Sequence, residues 1–267
     1  DAVAAALGVL PDDDFGDDDV VVLPGDMPLL SAAAVARLVA AHRAADVACT
    51  VLTAELDEPS GHSRVVRGKE DRIVRVVSEL DAEPDELTGR EVSPGVFCFR
   101  RSVLRAALRR VVPDTLVGEF RLAGVVEVLH RAGYPVGSLR VDAAEVAEVD
   151  DRVHLAEVEA ELRRRLVQGW LAFGVTMVDP SSVYIDASVQ LARDVTIFPN
   201  TLLQGRTVVG EGAEIGPDTR LVDCVVGVAA RIEKTVGRDA DVGAGAVVGP
   251  FVTLEAGAQV PADTRVA

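Results

Sequence analysis

The residue with the clearest chemical potential is an acid at the end of an apolar run. In VVVLPGDMPLL, residues 20–30, four apolar residues lead into Pro24, Gly25 and Asp26 before the chain resumes with Met27, Pro28, Leu29 and Leu30. A Val/Leu run bounded by Pro and Gly reads as a central strand of a parallel sheet, covered on both faces. Such sheets bind ligands at the carboxyl edge of their strands, so Asp26 is presented at a crevice. Gly25 permits a sharp turn or close backbone approach, and Pro28 keeps the following segment extended. A carboxylate so placed can hold a hard cation through oxygen. It can equally cap a turn or the next helix, and the local pattern leaves both readings open.

Other reactive side chains form no comparable constellation. His42, His62, His130 and His154 show no i, i+4 pairing and have no Cys nearby, which argues against zinc. Cys49, Cys98 and Cys224 are odd in number and far apart, which argues against a disulfide framework and fits a reducing, cytoplasmic setting. No Gly-x-Ser-x-Gly elbow supports hydrolysis. The tract DDDFGDDD at 12–19 reads as a solvated loop, and the Arg163–Arg165 run as the exposed side of a helix.

The elements that must position Asp26 follow from periodicity. Ser31 is placed as the N-cap of an Ala-rich helix reaching about Ala45, and the β-branched segment from Val47 is a second buried strand. SRVVRG and RIVRVVSEL, split by the charged turn KEDR, read as a hairpin. GVFCFR is a strand, Ser102 caps a short helix to about Arg110, EFRLAGVVEVLHRAG is a helix ended by Gly133, and YPVGSLRVD closes this half. Strands alternating with helices imply a parallel-rich α/β sheet with an inserted hairpin.

From Asp151 the texture changes. Leu155, Val158, Leu162 and Leu166 recur at helical spacing, opposite Glu157, Glu159 and Glu161, and mark an amphipathic helix ending near Gly174. Trp170 is expected to pack where two domains meet. Beyond it Leu191, Ile197, Leu203, Val209, Ile215 and Leu221 recur every six residues, and two positions before each stands Val189, Val195, Thr201, Thr207, Ala213 or Thr219. After a phase slip, Val236, Val242, Val248, Leu254 and Val260 resume the step. Hexapeptide periodicity specifies a β-helix with one large aliphatic residue per face pointing inward and Gly or small residues at corners. The expected domains are an α/β half at 1–149, a linker helix at 150–174 and the β-helix at 175–267.

Bulk properties bound the partners. The net charge of -16 repels nucleic acid and anionic membrane surfaces, so a phosphorylated substrate needs a metal ion or local cations. No stretch approaches the ~18 uninterrupted apolar residues of a membrane span. The chain starts at Asp1 within a helical pattern and ends at Ala267 within the repeat, so further sequence is expected at both ends.

Taken together, GDMPLL, DEPSGHSRVVR, VVSELDAEP, EVSPGVFCF, GEFRLAGVVEVL, EVDDRVHLAEVEAELRRR, GVTMVDP and VVGPFVTLEAG resemble, in order and spacing, the bifunctional bacterial N-acetylglucosamine-1-phosphate uridyltransferase and glucosamine-1-phosphate acetyltransferase family. The resemblance runs from Asp1 to the end. It implies a Rossmann-like mixed sheet of nucleotidyltransferase type, then a left-handed parallel β-helix that forms a homotrimer. It also implies UTP and a sugar 1-phosphate as partners, with UDP-N-acetylglucosamine made for peptidoglycan and cell-wall synthesis. By the same resemblance Mg²⁺ is the cofactor, with Asp26 and Asp150 as its ligands; Asp150 stands where the family has Asn.

The sugar-site positions implied by the family are Gly25, Gly61, Ser63, Ser78 and Ser93, and several depart from its pattern. Family Gly-Tyr-Gly-Arg is here Gly61-His62-Ser63-Arg64, the family Glu falls on Ser78 with Glu79 beside it, and Asn-Thr-Gly is Ser93-Pro94-Gly95. The Tyr-Leu-Thr-Asp segment has become Arg121-Leu122-Ala123-Gly124. Unpaired partners in a polar site cost about 1–3 kcal/mol each. These departures admit two alternatives: a nucleotidyltransferase for another sugar 1-phosphate, or a catalytically silent paralogue serving as a trimeric scaffold. The family's phosphate loop precedes the segment matching Asp1, and its acetyl-CoA site follows the segment matching Ala267. Glu255 takes the place of an acetyltransferase Arg, so acetyl-CoA is a partner of a complete family member only, and this chain alone is expected to be inactive.

Overall fold

Short runs of β-branched and aromatic residues become strands throughout the chain. The structure, a computed structural model, describes residues 2–10, 18–112 and 120–267 and divides into two units, 1–158 and 159–267.

The first unit contains α1 (Ala2–Val9), β1 (Asp19–Val22), α2 (Ala32–Ala45), β2 (Cys49–Glu55), β3 (Ser63–Arg67) and β4 (Ile73–Val77). β5 (Glu91–Ser93), β6 (Phe97–Arg100), α3 (Arg101–Leu108), α4 (Gly124–Arg131) and β7 (Val136–Arg140) complete it. The strand order is β1-β6-β2-β5-β3-β4, with β7 also on β2. Only the β2–β7 pair is parallel among these described strands. The expectation of a parallel-rich sheet with Val20–Leu23 at its centre is therefore corrected. β1 is an end strand that pairs antiparallel with β6 alone, its residues are half-buried, and Leu23 is exposed. An apolar run encodes burial but not the direction of its neighbours, which is where the local reading failed.

β6 shows how the sheet separates two cores. Phe97 and Phe99, with ring centroids 5.4 Å apart, join Cys49, Val51 and Leu104 on one face, and Cys98 joins Leu38 and Leu52 on the other. All three cysteines are buried and free.

Ser31 caps α2 as read, its Oγ accepting the Ala34 N–H at 3.0 Å. Ser102 does not cap α3, because the helix starts one residue earlier at Arg101. α4 starts at Gly124, later than the pattern suggested. Of the acidic tract at 12–19, residues 12–17 lie outside the described residues, and Asp19 is no loop residue. It sits in β1, where its carboxylate accepts from Arg43 Nε at 2.6 Å and lies 3.4 Å from His42 Nε2. The buried His42 also contacts Thr50 Oγ1 through Nδ1 at 2.9 Å.

α5 (Arg152–Phe173) begins in the first unit and ends in the second. Asp151 Oδ1 accepts the N–H groups of Val153 and His154 at 2.7 and 2.9 Å and so caps it. The expected apolar stripe is only partly buried. Val158 is covered, but Leu155 is 51% and Leu162 40% exposed. Toward the end of the helix the buried line passes through Val167, and Trp170 packs with it on the aliphatic interior of the second unit.

That interior is a parallel β-solenoid of about 5 turns. Strands of mostly two residues stack in three parallel sheets of 5, 6 and 5 strands. On one face Thr196 lies opposite Glu214, Glu214 opposite Arg231, Arg231 opposite Val247 and Val247 opposite Arg265. The inward Leu191, Ile197, Leu203, Val209, Ile215 and Leu221 are buried, as are the small residues two positions before them. Buried Thr201, Thr207, Thr219 and Thr235 satisfy their hydroxyls by donating to nearby carbonyls.

The phase slip has a defined form. Val226 and Ile232 fill the interior there, whereas Val236, expected to point inward, is 53% exposed. Gly237 takes its inward place, facing Leu221 and Leu254. A Cβ on Gly237 would lie 3.0 Å from Leu221 Cδ2 and 3.4 Å from Cys224 Sγ. A large residue does not fit this face.

Two outcomes follow from these contacts. Gly237→Val should destabilise the second unit by about 1–3 kcal/mol through overpacking, read from urea denaturation. Burial holds the His42 imidazole below its usual 6.5, with Asp19 only partly opposing. The unfolded chain then takes up a proton that the folded chain does not, so this contribution to stability is full above about pH 6.5 and declines as pH falls below it. Denaturation midpoints measured from about pH 7.5 to 5 should drop less steeply in His42→Gln than in the unchanged chain.

Candidate active site

Asp26 leaves the end of β1 behind Pro24 and Gly25, and both Gly25 and Asp26 are exposed. Its backbone carbonyl accepts the Val149 N–H at 3.0 Å. That bond brings the segment carrying Glu148 and Asp150 alongside Asp26, from the far end of the unit's sequence. The electrostatic consequence falls on Glu148, whose carboxyl is raised above the usual range by burial and then by the charges of Asp26 and Asp150. Asp150 is exposed, with His154 Nδ1 3.7 Å from its Oδ2.

Beside these acids lies a cavity of about 200 Å³ whose walls include Gly61, His62, Ser63, Ser93, Gly95 and Glu148. Ser63 and Ser93 meet here because β3 and β5 pair them directly. Ser93 is 5% exposed, and among the described residues its buried Oγ has no hydrogen-bond partner. Gly95 adopts φ +82, and a Cβ there would press on Pro24 Cγ at 3.3 Å. Glycine is thus favoured both by conformation and by the close fit between the cavity wall and the segment that carries Asp26.

The loop at 59–64 is mounted from behind. Arg64, 3% exposed, donates through Nη1 to the carbonyls of Pro59 and His62 at 2.6 and 2.5 Å. Glu79 Oε2 accepts the Gly61 N–H at 2.5 Å, and its Oε1 lies 3.5 Å from Arg64 Nη2. His62 Nδ1 lies 3.8 Å from Glu148 Oε1. Its imidazole is lowered, first by burial and then by the Arg64 charge.

The positions singled out from the sequence are thus distributed unevenly. Gly61, Ser63 and Ser93 share one cavity, and Asp26 and Asp150 flank its Glu148 wall. Gly25 is not in the wall. Ser78 is buried and donates its hydroxyl to Asp81 Oδ2 at 2.7 Å, so it is occupied elsewhere. Glu79, its neighbour, takes part in holding the Gly61 loop instead. Glu148 and His62 were not singled out as site residues. The available signal was position, since Glu148 lies two residues before Asp150 in EVDDR and His62 lies between Gly61 and Ser63.

No protein-family profile matches the chain. It is 42% identical over 265 residues to the Bifunctional protein GlmU of Mycobacterium tuberculosis, covering 99% of this chain and 53% of that protein. It is 43% identical over 266 residues to that of Kineococcus radiotolerans, covering 99% and 54%. To that of Corynebacterium efficiens it is 41% identical over 250 residues, covering 93% and 51%. The chain is a homologue of the GlmU proteins. It spans about half the length of these GlmU relatives. Among solved structures, CMP:2-keto-3-deoxy-manno-octonic acid synthetase complexed with CTP covers 61% of this chain and 67% of its own at 18% identity and a TM-score of 0.43, too distant to inform the site.

The Arg64 mount gives a direct test. Arg64→Ala removes two charge-assisted hydrogen bonds from a buried position and should cost about 2–3 kcal/mol. Arg64→Lys should restore less than half of that, because a single ammonium cannot reproduce the guanidinium fork. Urea denaturation of both variants reads the difference.

Proposed function

We propose that the chain forms part of a Mg²⁺-dependent sugar-phosphate nucleotidyltransferase, of the type that makes UDP-N-acetylglucosamine from UTP and N-acetylglucosamine 1-phosphate. The observation that carries this reading is the approach of Asp26 and Asp150 to one polar cavity, in a chain homologous to GlmU proteins.

The donor set suits the ion. Mg²⁺ is bound through one or two carboxylates, with water and substrate phosphates completing its octahedron, and seldom through an all-protein cage. Asp26 and Asp150 supply two exposed carboxylates, and no cluster of three or more protein ligands exists among the described residues. When bound, the ion would neutralise phosphate charge that a chain of net charge -16 otherwise repels.

The remaining work belongs to the chain's own side chains. A phosphate oxygen of the sugar 1-phosphate attacks the α-phosphorus of UTP, and pyrophosphate leaves; no covalent enzyme intermediate is needed. Ser63, partly exposed in the wall, offers its hydroxyl to the sugar, and Gly61 and Gly95 let backbone approach the ring. The Glu79–Gly61–Arg64 mount holds that wall in place before the sugar arrives, so little ordering cost remains at binding.

One observation favours a second reading. Ser78 is engaged with Asp81, and His62 and Glu148 form a wall that the family pattern lacks. This supports a different sugar 1-phosphate as acceptor, or a silent paralogue whose role rests on the solenoid. Self-association through the solenoid, acetyl transfer by a complete protein and a cytoplasmic supply of cell-wall precursor belong to the same proposal.

The test is pyrophosphate release from UTP by the intact protein with Mg²⁺ and a panel of sugar 1-phosphates. Turnover supports the enzyme, and silence across the panel supports the scaffold. Asp26→Ala should lower kcat/KM by roughly 100-fold or more while leaving the melting temperature unchanged. Water-proton relaxation with Mn²⁺ as the probe should show weakened metal binding in the same variant.

A further inference from the structure

Building on the metal-dependent nucleotidyltransferase reading, we infer that Glu145 is a positioning residue for the proposed metal pair: its carboxylate fixes the register between the segments that carry Asp26 and Asp150 without touching the ion. The inference starts from a gap in the local sequence.

A helix with Ser at its N-cap is often completed by Glu or Gln at the third helical position, whose side chain reaches back to accept the N-cap backbone N–H. α2 has Ser31 at the N-cap but Ala34 at that position, with no acceptor to offer. Glu145, 114 residues further along, supplies it. Its Oε2 accepts the Ser31 N–H at 3.1 Å and the Ser31 hydroxyl at 2.9 Å, while the hydroxyl oxygen accepts the Ala34 N–H at 3.0 Å. A carboxylate so placed also meets the positive end of the helix dipole. Arg37 Nη2, 3.9 Å from Oε1, is exposed and adds little.

The consequence lies in what the two segments carry. The turn at 26–31 begins at Asp26, and the segment at 145–150 ends at Asp150. Glu145 joins Ser31, and the Val149 N–H joins the Asp26 carbonyl at 3.0 Å. The segments therefore run antiparallel and are tied at both ends. Met27 and Val146, just inside those ties, are buried in one core cluster. Asp142 Oδ1 accepts the Ala144 N–H at 2.9 Å and starts the 3-10 turn Ala143–Glu145, which sets the direction of the carboxylate.

This closure separates Glu145 from an ordinary cap. A cap stabilises one helix, whereas Glu145 completes a ring whose far side is the Asp26–Val149 bond and whose next residue is Asp150. Without it the register at the Ser31 end of the ring loosens. A single oxygen, Oε2, accepts both Ser31 donors, so a Gln carbonyl oxygen can take its place although the charge is lost. Glu145→Gln thus divides positioning from a simple contribution of negative charge to the metal region.

The experiment uses the intact protein with Mn²⁺ as the probe, read by water-proton relaxation, and takes the binding lost in Asp26→Ala as that of the site. Glu145→Ala should raise the Mn²⁺ dissociation constant about tenfold, the low end of what losing a group that orients metal ligands costs. Glu145→Gln should stay within about threefold of the unchanged protein. The Val149 amide should exchange with deuterium about threefold faster or more in Glu145→Ala. Ala36→Gly, on the exposed side of α2, is the control: it weakens the helix, touches neither tie and should leave the Mn²⁺ constant unchanged. In turnover, the Mg²⁺ concentration for half-maximal pyrophosphate release should rise about tenfold in Glu145→Ala, with kcat at saturating ion within about threefold. An unchanged Mn²⁺ constant in Glu145→Ala, an equal loss in Glu145→Gln, or an equal loss in Ala36→Gly overturns the inference and leaves the nucleotidyltransferase reading standing. No Mn²⁺ binding at the Asp26 site of the unchanged protein overturns both.

Discussion

The hydrogen bond from the Val149 N–H to the Asp26 carbonyl is the contact on which the site depends. It joins the turn that follows β1 to the segment that precedes α5, and each segment carries acids. Contacts of their own side chains do not hold the acids together, because Asp26 and Asp150 are exposed and like charges repel. A backbone bond is indifferent to that repulsion. It keeps like charges close where side chains alone would move apart, and the Glu148 carboxyl beside them is raised, first by its burial and then by the charges of Asp26 and Asp150.

The cavity rests on a second arrangement of the same kind. Ser63 and Ser93 face each other because β3 and β5 pair through their backbones. Arg64 and Glu79 then grip the loop at Gly61 from beneath, using main-chain carbonyls and an N–H. Side chains that line the cavity are therefore largely free of structural duty. They can differ from those of the GlmU relatives while the frame that presents them stays in place.

The legibility of the chain in its sequence divides along the same line. The solenoid was readable because each coil repeats one local rule: an aliphatic residue at Leu191, Ile197, Leu203 and onward must point inward, and a step of six keeps it there. The rule failed only at Val236, where shorter faces moved the inward position to Gly237, and a change of spacing by one residue exchanges inside for outside. The first unit obeys no such local rule. The strands at Cys49–Glu55 and Phe97–Arg100 and the hairpin of β3 and β4 were visible in composition. Strand order and direction were not, since the β1–β6 and β2–β7 pairs join segments remote in sequence. Asp19 shows the same limit at one residue: an Asp-rich tract reads as solvated, and nothing local reveals that Arg43 and His42 of α2 wait for its last member.

The site was legible to the degree that residue type alone announced it. Asp26 stood out because a carboxylate behind Pro-Gly at the end of an apolar run can hold a cation as readily as it caps a turn, and the resemblance to a known family weighted the first reading. Glu148 did not, because Glu in a charged segment before a helix is ordinary; its significance comes from a cavity wall built by β3, β5 and the loop at Gly95. Ser78 shows the converse. Its sequence position placed it in the site, yet a nearby acceptor, Asp81, lies within reach of its hydroxyl and holds it. Assigning a polar residue to a site therefore requires its local partners to be counted first. Ser93 shows the contrast: both are buried serines at strand ends of one sheet, and among the described residues only the Ser78 hydroxyl has a partner.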